Sequence, residues 1–141
     1  MAAIILLSMA LVLLIFKDKI FKTNIIGEYF KLTELTEYKE NVKESKIKRI
    51  AIISQSTNFE TEDKEDIEKI LDFIATIEGS VDKSEISSVV SNTYGIVLYY
   101  KNDTNTVITI SPNKFAVADS DYYNNKHAYY TTLQKLLKEL K

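Results

Sequence analysis

The sequence predicts an α+β fold: an N-terminal membrane helix, then one antiparallel sheet of about four strands, arranged as a meander, with two helices packed on one face. Three observations lead there. The chain opens on an uncharged apolar run. β-branched and aromatic runs separated by turn residues crowd between residues 47 and 118. Two stretches carry apolar residues at helical spacing, one early in that region and one at its end. Strands contiguous in sequence with helices outside them imply an antiparallel sheet rather than parallel βαβ units.

Composition bounds the function. The chain has 141 residues, 45% hydrophobic and 27% charged, the mix of one folded domain. The net charge is -2, and Arg49 is the one arginine among 18 cationic residues. Duplex-binding domains show a basic excess and arginine forks, so nucleic acid is not an expected partner. Cysteine is absent, which excludes disulfides, thiol catalysis, thiolate metal sites and a lipid-modified cysteine anchor. A single histidine excludes a multi-histidine metal centre.

Ala2 to Phe16 carries no charge and one hydroxyl, Ser8. An amphipathic helix needs a polar face, and this run has none. As a helix it spans about 22 Å. Extending it through Ile20 and Phe21 matches a hydrocarbon core of about 30 Å, with Lys17, Lys19 and Lys22 snorkelling to headgroups. No small-x-small cleavage site follows, so residues 1–22 read as an uncleaved single-pass anchor. The three lysines lie after the run, which by the positive-inside rule puts the domain in the cytoplasm. However, a chain that enters its apolar core at Met1-Ala2-Ala3 reads as lacking a basic leader. The expected location is therefore the extracytoplasmic side of the cell membrane, with the cytoplasmic side as the alternative.

Residues 23–46 mix Tyr29, Phe30, Leu32, Leu35 and Tyr38 with a charge-rich stretch, and read as a tether that packs on the domain edge. The domain itself spans 47–141. Ile50-Ala51-Ile52-Ile53 is a short β-branched strand. Thr61 then offers a capping hydroxyl, and the acidic residues after it suit the positive end of a helix dipole. Ile67, Ile70, Leu71, Ile74 and Ile77 form one apolar stripe, which Gly79 is placed to end. Gly95 to Tyr100 is apolar on both faces, as in a central strand. Lys101 to Asn105 is turn chemistry. Thr106 to Ile110 returns, Ser111-Pro112-Asn113-Lys114 turns again, and Phe115 to Ala118 is a third meander strand. A last helix runs from about His127 to Leu140, with Tyr129, Leu133, Leu136, Leu137 and Leu140 on one face. Ile52, Ile70, Leu71, Ile74, Leu98, Ile108, Leu133 and Leu137 are the expected core.

Little in the sequence selects a catalytic site. Histidine is the side-chain type suited to proton transfer near neutrality, and His127 is the one in the chain, but no nucleophile elbow accompanies it, and Asp119 and Asp121 are its only candidate partners. The expected reading is an exposed histidine in a first helical turn. The acidic run from Glu60 to Glu68 has no turn glycine for a calcium loop and reads as a helix start. No catalytic residue, metal site or cofactor is expected. The tyrosines are more distinctive, occurring as the doublets 99–100, 122–123 and 129–130. In a strand doublet one ring faces each side of the sheet, and an exposed tyrosine presents large area at low entropic cost. Tyr122, Tyr123 and Tyr130 are the candidate contact residues.

Ile47-Lys-Arg-Ile-Ala-Ile-Ile, Asp63-Lys-Glu-Asp-Ile-Glu-Lys-Ile, Gly95-Ile-Val-Leu-Tyr-Tyr and Tyr122-Tyr123 before a last helix resemble small membrane-anchored or lipoprotein-type extracytoplasmic domains of unknown function from Gram-positive bacteria. The resemblance covers about residues 47–140 and implies a non-enzymatic extracytoplasmic domain; the anchoring cysteine of the lipoprotein members is missing. The expected function is a membrane-tethered, non-enzymatic interaction domain of the cell envelope that binds a protein or envelope partner. A small-ligand or ion sensor, and a small hydrolase or transferase of unrecognised type, are the alternatives.

Overall fold

The computed structural model describes residues 28–36, 38–39, 46–81, 92–118, 120–124 and 127–140. In chain order these form β1 (Phe30–Lys31), a 3-10 turn (Leu32–Glu34), β2 (Ile47–Ile53), β3 (Asn58–Thr61), α1 (Lys64–Ala75), β4 (Glu78–Gly79), β5 (Tyr94–Tyr100), β6 (Asn105–Ser111), β7 (Lys114–Val117), β8 (Ser120–Tyr123) and α2 (Tyr129–Glu139). This corrects the expected α+β layout with its four-stranded sheet. Among the described residues the architecture is sheet-rich: six antiparallel strands in the order β3-β2-β5-β6-β7-β8, a separate two-stranded sheet of β1 and β4, and two helices. The extra strands of the large sheet, β3 and β8, lie at its two edges, where few positions must be apolar and no hydrophobic run marks them. Beyond β8, Ser80 links the sheets: its N–H donates to the Tyr123 carbonyl at 2.8 Å, and the Tyr123 N–H donates back at 2.7 Å. No helix among the described residues is long and apolar enough to cross a membrane. The run Ala2–Phe16, where such a helix was expected, lies outside the described residues.

Strand alternation sets the core. Tyr94, Ile96, Leu98 and Tyr100 of β5 are buried, and β5 lies between β2 and β6. Ile96 is paired with Ile52 and Ile108, Ile110 with Phe115, and Phe115 with Tyr122. These residues share one cluster with Ile70, Phe73 and Ile74 of α1 and Tyr129 and Leu133 of α2. Of the expected core, Leu71 and Leu137 are only partly buried. The inward arc of α1 is centred on Ile70, Phe73 and Ile74, which leaves Leu71 on its flank. The opposite sheet face carries Ala51, Ile53, Val97, Tyr99 and Val107. Arg49 lies over the Tyr99 ring, 4.1 Å from its centroid, and is paired with Glu60.

The acidic run builds the start of α1, though through a different cap from the one expected. Asp63 accepts from the N–H groups of Glu65 and Asp66 at 2.9 and 3.1 Å. Thr61 instead accepts from the Asp63 N–H at 3.0 Å. Gly79 is likewise not a helix cap: the helix ends at Thr76, and Gly79 pairs with Phe30. The need for glycine there is steric, since a Cβ would lie 2.7 Å from Phe115 Cε1 and 3.2 Å from the Tyr123 carbonyl oxygen. Gly79→Ala is expected to destabilise the fold by about 1–3 kcal/mol, the range for overpacking; denaturant titration measures it, and an unchanged midpoint would contradict this role.

The described part of the stretch read as a tether is built into the fold. The Leu32 N–H donates to the Ile77 carbonyl at 2.9 Å, and Leu32, Leu35 and Tyr38 belong to the core cluster. Burial raises the pKa of both Tyr38 and Tyr100 above the ordinary 10.0. For Tyr38 the neighbouring Tyr100 adds to the rise, whereas the Thr106 hydroxyl, 2.7 Å from the Tyr100 hydroxyl, opposes it at Tyr100. A pKa raised on folding contributes stability that is fully present below the unfolded value and is lost as pH rises through the folded one. The melting temperature should therefore fall as pH rises above the unfolded value of about 10 and through the higher folded ones, and Tyr100→Phe should flatten that decline. Identical alkaline slopes in the two proteins would exclude Tyr100 as a source.

Candidate functional site

The structure separates the three candidate tyrosines. Tyr122 and Tyr123 are interior, 8% and 7% exposed. The Tyr122 ring stacks on Phe115 with centroids 5.1 Å apart, and meets Phe30 edge-on at 6.4 Å. This differs from the expected one inward and one outward ring of the doublet. β8 has β7 on one side and the Ser80 bridge on the other, and both rings are covered. Tyr130, in the first turn of α2, is half-buried. Its ring lies 4.8 Å from that of Tyr94. Burial first, and then the Tyr94 phenol, push its hydroxyl above the usual tyrosine pKa.

Tyr130 also opens onto a cleft of about 530 Å³ at one end of the sheet. Three stretches build it. The turn between β2 and β3 supplies Ser54, Gln55 and Ser56. That turn is closed by the Ser54 N–H donating to the Thr57 carbonyl at 2.8 Å, and the Ser56 N–H donates to Ser54 Oγ at 3.3 Å. Asn92 and Thr93 line the approach to β5, where the Thr93 and Ser111 hydroxyls lie 2.9 Å apart. α2 supplies Tyr130 and Gln134, which share a helix face because they are four residues apart. Every described lining residue is uncharged and hydrogen-bonding. Apart from Tyr130, none stood out in the sequence. Gln134 was within reach through its spacing from Tyr130, but nothing local ties residues 54–56 or 92–93 to α2.

The other described candidates, His127 and Asp121, do not line the cleft. His127 is exposed just before α2, with Nε2 3.7 Å from Glu78 Oε1. Its backbone N–H donates to Asn124 Oδ1 at 3.2 Å. Asp121 faces Lys114 at 3.9 Å, and Asp119 lies outside the described residues. Among the described residues no group of three histidine or acidic side chains is placed to hold a metal ion. His127→Ala should change stability by less than about 0.5 kcal/mol, the range of surface substitutions. A larger loss on thermal denaturation would make its contact with Glu78 structural.

The chain matches no protein-family model, no curated protein and no solved structure.

Proposed function

We propose that this chain is a membrane-tethered, non-enzymatic binding domain of the cell envelope, and that it engages its partner through the cleft at Tyr130. The cleft carries this reading. Its volume of about 530 Å³ lies within the 300–1,000 Å³ usual for small-ligand sites. Its described lining offers hydrogen-bond donors and acceptors together with a partly exposed aromatic ring, a composition suited to recognition. Tethering rests on the uncharged run Ala2–Phe16 and the lysines that follow it. The extracytoplasmic side is the proposed location. Protease added to intact cells should degrade the domain; protection until lysis would put it on the cytoplasmic side.

A photo-crosslinking amino acid at position 134 of the full chain, in its native membrane, tests the site. It is expected to give a discrete adduct that Tyr130→Ala removes. The same group at Lys101, in the turn between β5 and β6, should give none. Equal labelling from both positions, or none from 134, would refute the reading.

A further inference from the structure

We infer that the cleft takes a neutral saccharide, held by amide and hydroxyl side chains beside the Tyr130 ring, an inference that rests on the cleft being the binding surface. The chemistry of the described lining narrows the ligand. Seven described residues line the cleft, and none of those is charged. A phosphate or carboxylate would find no cation in the described lining to pair with. A fully apolar ligand would make no use of the amides of Gln55, Asn92 and Gln134. A sugar hydroxyl both donates and accepts, and so do these amides and the hydroxyls of Ser54, Ser56 and Tyr130. Tyr130 adds an aromatic surface, braced by Tyr94 at 4.8 Å, against which the C–H groups of a pyranose can pack.

An extended peptide shares the donors and acceptors but fits less well. Peptides are commonly bound by adding a strand to a sheet edge. The cleft instead opens at strand ends, on the turn after β2 and the approach to β5.

The test uses the full chain in sugar-free zwitterionic micelles, titrated with N,N′-diacetylchitobiose and, separately, with an end-blocked tetra-alanine, and read by NMR. The disaccharide should shift the Tyr130 ring signals. Gln134→Ala and Tyr130→Ala should each weaken binding about tenfold, while Tyr130→Phe, which keeps the ring, should lose less than about fivefold. Insoluble chitin distinguishes the source: retention far beyond the disaccharide affinity, lost in the same variants, supports a glycan polymer, and its absence a free sugar. Disaccharide binding unchanged by these substitutions overturns the inference. So does tetra-alanine binding at Tyr130 without disaccharide binding. If neither probe binds while the adduct at position 134 persists, the saccharide is wrong and the cleft reading stands; loss of the adduct as well removes both.

Discussion

Tyr122→Ala is expected to destabilise the domain by about 3–5 kcal/mol, the range for deleting a buried aromatic ring. The ring is stacked 13° from parallel on Phe115 and edge-on to Phe30. Its removal therefore takes contacts from both the six-stranded sheet and the two-stranded one. Gly79 sits against the same place, where a Cβ would be 3.1 Å from Tyr122 Cβ, so the neighbouring backbone is already close-packed. Denaturant titration measures the loss. Tyr130→Ala is the contrast: the residue is half-buried, and truncating it should cost less while changing binding more. If Tyr122→Ala were the milder of the two for stability, the ring would not be part of the core.

The contrast between these tyrosines shows where sequence patterning stops. β5 was legible because a central strand is apolar on both faces, and α1 because Ile67, Ile70, Leu71 and Ile74 repeat at helical spacing. The edge strands lacked such a signal. β3 has Phe59 as its one large apolar residue, with Asn58 and Glu60 on the opposite face. The turn into β8 puts Ala118 at a φ of 53°, a conformation that glycine or asparagine would have advertised and alanine does not. Asp103, at a φ of 65°, is the opposite case, because aspartate in a polar stretch signals a left-handed turn. β1 and β4 have two residues each and exist through pairing across 46 or more positions, which no local pattern carries. The cleft is hidden for the same reason: its lining comes from three distant stretches, of which only the tyrosine doublet at 129–130 drew notice. Gly79 was legible as a necessary glycine, but its reason is the contact with Phe115 rather than a helix end.

Leu32→Ala should cost about 2–5 kcal/mol, as large as any aliphatic truncation in the sheet. Leu32 is fully buried, and its backbone N–H is held by the Ile77 carbonyl at 2.9 Å. Around it, Phe30 pairs with Gly79, Lys31 with Glu78, and Leu35 and Tyr38 enter the same core cluster. The stretch between the apolar N-terminal run and β2 is therefore load-carrying in its described part. Shortening the chain separates the two roles. Removing residues 1–23 should leave a cooperative unfolding transition, because every described core residue is retained. Removing residues 1–46 deletes Leu32, Leu35 and Tyr38 and uncovers Ile77 and the end of α1. That shorter chain is expected to lose cooperative unfolding or to melt far lower. If it unfolded at the same denaturant concentration as the longer one, and Leu32→Ala were silent, residues 28–39 would be no more than a tether lying on a core complete without them.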